Sequence, residues 1–134
     1  STNTLFKFQN NMKHVIQTPT APKPIGPYSQ AIVTDNLIFI SGQVGVDSSG
    51  ILLPDIQSQA HQAMKNIQFI LTAAGIDFSS AIKTTIFLTD LSNFQLVNEI
   101  YGSYFQGDFP ARSTVEVSSL PKGALVEIEM IASK

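Results

Sequence analysis

No cysteine occurs in this chain, which removes disulfides, thiolate zinc sites and thiol nucleophiles together. Cysteine usage therefore says nothing of the redox compartment. Histidine is nearly as scarce. His14 and His61 stand far apart, in no HxH or HxxxH arrangement, so no metal site is expected. The eight glycines never gather as GxGxxG or a P-loop, which argues against a nucleotide cofactor. No GxSxG elbow exists to present a serine nucleophile. No apolar run reaches the roughly 18 residues of a membrane-spanning helix. Charge is sparse as well: Asp, Glu, Lys and Arg make up 13%, against about 25% in an ordinary soluble domain. The net charge is −2 and the pI near 5.5, so no electrostatic footprint for nucleic acid is present.

Little charge at ordinary apolar content (43%) predicts that part of the surface is buried against other copies of the chain. The length of 134 residues fits one domain with a real core. The first 34 residues carry Lys7, Lys13 and Lys23 but no acid and no arginine. They read as a lead-in rather than a targeting segment, with residues 1–12 a flexible polar tail and 13–134 the domain. A cytoplasmic location is expected, with an organelle such as the mitochondrion as the alternative.

Arginine is present once, as Arg112, within Phe109-Pro110-Ala111-Arg112-Ser113 and ahead of a strand-like run. A guanidinium offers a planar fork that grips a carboxylate through two parallel bonds, which an ammonium does not. A lone arginine after proline and alanine suits a fixed pose; the bland alternative is a strand-holding ion pair.

Along the chain, Lys13 to Gln17 reads as a short strand and Thr18 to Pro24 as extended proline-rich surface. Ala31 to Thr34 and Leu37 to Gly42 form a hairpin around Asp35-Asn36. From Pro54 the period changes: Ile56, Ala60, Ala63, Met64, Ile67, Ile70, Leu71 and Ala74 make one helical stripe, closed by Gly75. Ile82 to Leu88 is a strand. Ser92 and Gln95 match a capping box with Leu91 and Leu96 as its staple. A second helix carries Phe94, Val97, Ile100, Tyr101, Tyr104 and Phe105 and is expected to stop near Gly107. Ser113 to Val117 and Leu125 to Ala132 complete the order β-β-β-α-β-α-β-β. Both helices are then candidate parallel crossovers on the same sheet face. In the last strand Val126, Ile128, Met130 and Ala132 are predicted to pack under them. Leu125, Glu127, Glu129 and Ile131 fall on the other face, suited to a subunit interface lining a polar pocket.

Arg112, Glu127 and Tyr28 come from three separate segments and form the candidate catalytic group, with Ser41 and Thr114 adding hydroxyls. Arg112 suits a substrate carboxylate, Glu127 a water, and Tyr28 a single hydrogen bond. Glu127 and Glu129, two residues apart on one strand face, should raise each other's pKa unless Arg112 or Lys83 pairs with one of them.

Gly26-Pro27-Tyr28-Ser29-Gln30-Ala31, Ser41-Gly42-Gln43, Asn66, Ala74-Gly75, Lys83 to Asp90, Phe94 to Tyr101, Phe109 to Ser113, Leu120-Pro121-Lys122 and Val126 to Glu129 follow in order. Together they resemble the Rid family, also called YjgF, and within it the RidA-type reactive-intermediate deaminases, over about residues 14 to 133. The resemblance implies an α+β, single-domain chorismate-mutase-like fold: a mixed β-sheet with two helices on one face, assembled as a homotrimer with active sites between subunits. It also implies hydrolysis of enamines and imines (2-aminoacrylate, 2-iminopropanoate, 2-iminobutanoate) to 2-keto acids and ammonia, with no metal or organic cofactor. By the same resemblance Arg112 clamps the substrate carboxylate and Glu127 orients the attacking water. Tyr28 and Ser41 line the pocket, and Phe94 and Asn98 shape it from the second helix. Thr114 stands where many members have cysteine; it keeps a hydrogen-bonding group and loses the thiol. The competing expectations are a 2-keto-acid-binding or regulatory module without turnover, and a ribonuclease or translation inhibitor, which the acidic balance disfavours.

Overall fold

The structure is a computed structural model and describes residues 12–134. Of the expected tail, only Met12 is among them. Six strands and two helices follow in order: β1 (His14–Ile16), β2 (Ala31–Thr34), β3 (Leu37–Val44), α1 (Ile56–Ala73), β4 (Ala81–Leu88), α2 (Phe94–Gly102), β5 (Ala111–Glu116) and β6 (Val126–Ser133). They build one mixed sheet ordered β1-β2-β3-β6-β4-β5.

The sequence patterns explain most of this. Asp35 turns the β2–β3 hairpin with a left-handed φ of 49°, and Thr34 pairs with Leu37 across it. Asp55 caps α1 by accepting from the Ser58 amide at 2.8 Å, in a reciprocal box with the Ser58 hydroxyl. Gly75 ends the helix with φ +77°, while its amide reaches Thr72 O and the Ile76 amide reaches Leu71 O, both at 3.0 Å. That pair of bonds is a Schellman closure, which glycine permits without Cβ strain.

β6 runs between β3 and β4, antiparallel to both, so β3 and β4 are parallel to one another. β4 and β5 pair in parallel directly. Both helices are thus parallel crossovers, as the element order predicts. They share one face, where Met64, Ile67, Ile70 and Leu71 of α1 meet Val126, Ile128, Met130 and Ala132 of β6, all buried. Each large side chain so placed stabilises the fold by about 1.5–3 kcal/mol. The opposite face carries no helix. Register places Val15, Ile32, Phe39, Ile131 and Lys83 in one row across five strands of it, with Val15 and Phe39 exposed.

Three local expectations are corrected. The capping box at Ser92 and Gln95 does not form: Asp90 accepts from the Ser92 amide at 2.9 Å and caps a short 3-10 turn instead. Leu91 and Leu96 stay exposed, unlike a staple. The second helix ends at Gly102 rather than near Gly107, because its apolar spacing continues into Tyr104 and Phe105, which pack on Phe78 as non-helical chain. β5 begins at Ala111, so Arg112 lies inside the strand and not ahead of it.

Candidate active site

A β-bulge organises the open side of the sheet. Ile40 pairs with Met130 and Gln43 with Ile128, so β3 spends three residue steps where β6 spends two. The extra residue falls at Ser41-Gly42 and re-aims the strand there. The Ser41 amide donates to Gln30 O at 2.9 Å, and its hydroxyl donates to Ser29 O at 2.6 Å. Buried Gln30 in turn clamps the proline-rich segment: its Oε1 accepts from the Thr18 amide at 2.7 Å, and its Nε2 donates to Thr18 O at 3.1 Å and Pro22 O at 3.0 Å. Tyr28 emerges from this clamped loop half exposed.

A cleft of about 600 Å³ results, walled by Tyr28, Ser41, Gly42, Lys122, Glu127 and Glu129 among others. Its floor is tied to α1. Asn66 Nδ2 donates to Val44 O at 3.2 Å and Val46 O at 2.9 Å. Gln59 Nε2 donates to Leu53 O at 2.9 Å while its Oε1 accepts from the Leu125 amide at 2.8 Å. Glu127 is half-buried beneath the bulge. Burial first, and the neighbouring charge of Glu129 second, push its carboxyl above the ordinary value of 4.5. Lys83 does not offset this: its Nζ donates to Ser113 Oγ at 3.0 Å.

Arg112 stands elsewhere. It pairs in register with Thr84 of β4, whose side chain is buried on the helix side. Its Cζ lies 5.2 Å from the Tyr101 ring centroid and 5.6 Å from that of Phe94, so the guanidinium rests on two aromatic rings of α2. Asn98, half-buried, is four residues beyond Phe94 and three before Tyr101, on the same stripe of α2. Thr114 follows two residues after Arg112 on the same side of β5, and its buried Oγ1 has no hydrogen-bond partner.

One copy of the chain therefore gathers Tyr28, Ser41 and Glu127 in one place and Arg112, Phe94, Asn98 and Thr114 in another. β4 separates the two strands that carry Glu127 and Arg112, and the two side chains leave opposite faces of the sheet. Sequence reasoning missed Gly42, Thr84 and Tyr101. Tyr101 was counted only among the apolar-side residues of the second helix. Among the described residues no group of three His, Cys, Asp or Glu side chains is placed to hold a metal, and no helix is long and apolar enough to cross a membrane.

The family profile described as Endoribonuclease L-PSP matches residues 18–134. The chain belongs to this family. Among its relatives is the mouse 2-iminobutanoate/2-iminopropanoate deaminase, 54% identical over 123 residues, or 90% of this chain and 91% of the mouse protein. The fold matches that of YyfA from Yersinia pestis, a protein of the conserved Rid family, with a TM-score of 0.90 at 52% identity over 92% of this chain and all of that one. It also matches Escherichia coli TdcF with bound serine, with a TM-score of 0.88 at 40% identity over 90% of this chain and 98% of that one. The Rid resemblance read from the motifs, and the mixed sheet with two helices on one face that it implied for the single chain, are thereby borne out.

Proposed function

We propose that this chain hydrolyses reactive enamine and imine intermediates, 2-aminoacrylate, 2-iminopropanoate and 2-iminobutanoate among them, to 2-keto acids and ammonia. The observation that carries the reading is the division of the two charged groups such chemistry needs. A carboxyl of raised pKa lies in a cleft on the open face, and a lone guanidinium on aromatic rings lies at the far edge of the sheet. Kinship with a deaminase of that name supports it.

The exposed apolar row on the open face supports assembly with further copies, as a homotrimer in which one copy's β5 edge meets its neighbour's cleft. Arg112 of one copy then binds the imino acid's carboxylate through its fork, between Phe94 and Asn98. Glu127 of the other takes a proton from water as the oxygen adds to the C=N carbon, and passes that proton to the nitrogen to give the neutral carbinolamine. The carbinolamine collapses as Glu127 takes the hydroxyl proton and delivers it to the leaving nitrogen, so that C=O forms as the C–N bond breaks and ammonia departs. A carboxyl held above its usual range suits both the acceptance and the return of that proton near neutrality. Tyr28 supplies a hydroxyl at the rim, Thr114 a buried one on the Arg112 side of β5, and Ser41, whose proton is committed to Ser29, keeps lone pairs for a donor. No metal or organic cofactor enters this scheme, and the proposed location is the cytoplasm.

Ammonia release from freshly generated 2-aminoacrylate and 2-iminobutanoate tests the reaction, and subunit mixing tests the assembly. Arg112→Ala and Glu127→Gln should each be inactive, while trimers re-formed from an equal mixture should regain on the order of a quarter of the sites, since each site draws on two copies. A silent mixture overturns the shared site. Binding of 2-ketobutyrate without ammonia release would assign a keto-acid-binding module instead, and cleavage of RNA that survives Arg112→Ala would assign a ribonuclease.

A further inference from the structure

We propose that Tyr101, locked by Thr84, is a positioning residue that sets the pose of Arg112 and thereby the selectivity of the site for carboxylates. The inference rests on the reading of Arg112 as the carboxylate clamp. Thr84 and Tyr101 share a buried hydrogen bond of 2.7 Å between their hydroxyls, and both side chains are almost wholly buried, at 1% and 4% exposure. The phenol therefore ties α2 to β4 at one fixed distance. Thr84 is also the register partner of Arg112 on β5. The same side chain that fixes the Tyr101 hydroxyl thus stands beside the backbone from which the guanidinium departs.

Tyr101 presents its ring to that guanidinium at 5.2 Å, within the range of a cation–π contact, and Phe94 presents another at 5.6 Å. The two rings hold the guanidinium by cation–π contact and offer it no bidentate acceptor, so its fork is kept for a ligand. A long, flexible side chain is thereby held in place before any ligand arrives, which lowers the ordering cost of binding a carboxylate. Phe94, half exposed, forms the outer ring, whereas Tyr101 is anchored at its far end by Thr84. A core aromatic without this task needs no hydroxyl bonded to the register partner of an arginine.

The experiment compares 2-ketobutyrate with its neutral carboxamide by calorimetry on the full-length protein, beside imine-hydrolysis kinetics. Tyr101→Leu should weaken 2-ketobutyrate about tenfold, and Tyr101→Phe and Thr84→Val about threefold. Binding of the carboxamide should not change in any of them, and in the kinetics KM should rise more than kcat falls. Equal loss of both ligands in variants whose thermal unfolding is cooperative would reduce Tyr101 to a packing residue and overturn the proposal. So would unchanged 2-ketobutyrate binding. Should Tyr101→Leu not fold, Thr84→Val, which removes only the lock, decides the matter. Wild-type protein that prefers the carboxylate yet releases no ammonia sinks the deaminase reading and leaves this one standing.

Discussion

Gly42 lies against the Glu127 carboxylate so closely that a Cβ built on it would sit 2.5 Å from Oε1. The atom it would meet is the end of a flexible side chain and not backbone. Gly42→Ala is therefore expected to fold, with loss of about 1 kcal/mol or less, while the carboxylate swings out of the cleft. A fall in kcat of about a hundredfold with KM little changed is the expected kinetic result. An alanine variant with wild-type kcat would show that the position of Glu127 is not set by the bulge.

Glu127 also makes a prediction in pH. A carboxyl raised above 4.5 holds its proton longer in the folded chain than in the unfolded one, so stability falls as pH rises through the raised value. Its favourable contribution is complete only below about pH 4.5. Glu127→Gln should unfold at a higher temperature than wild type near pH 8 and at almost the same temperature near pH 4. In kinetics, the acid limb of kcat/KM should lie above the ordinary glutamate range. Glu129→Gln should move it down, because it removes the neighbouring charge. An acid limb that ignores Glu129 would exclude Glu127 as its source.

Thr114 has a buried hydroxyl with no partner in the single chain. An unsatisfied hydroxyl costs about 1–3 kcal/mol. Thr114→Val, which also favours a strand, is expected to raise the isolated chain's stability by about 1 kcal/mol in urea titrations. A simultaneous drop in kcat/KM would place the hydroxyl on the substrate. A destabilised valine variant would mean that the hydroxyl has a partner in solution.

Gln30 holds the segment that carries Tyr28 through one accepted and several donated bonds at near-complete burial. Gln30→Ala should cost about 2–3 kcal/mol and open residues 18–28 to limited proteolysis well before global unfolding. Protease resistance equal to wild type would show that the prolines alone keep the loop in place.

The helices, the hairpin and the buried face of β6 were legible because their periods are strong and their caps obey local rules. Boundaries failed where local rules compete. Asp90 reached the Ser92 amide before a box at Ser92 and Gln95 could form, and the apolar spacing beyond Gly102 served aromatic packing instead of a longer helix. Arg112 and Glu127 were legible as residue types, yet their placement on opposite faces was not. It depends on strand order, which puts the last strand between the third and fourth. The bulge at Ser41-Gly42 was hidden as well, since a single extra residue leaves an apolar run intact and appears only as a shift of pairing. Tyr101 was read only as one of the residues on the apolar side of the second helix, and that pattern masked its contact with Arg112.

The opposite facing of Arg112 and Glu127 has a consequence for gene dosage. In the proposed ring of three copies with shared centres, a chain lacking one of the two residues silences a single centre. A chain lacking both silences two, one on each side of it. Co-expressed with wild type, the double variant should act as the stronger poison.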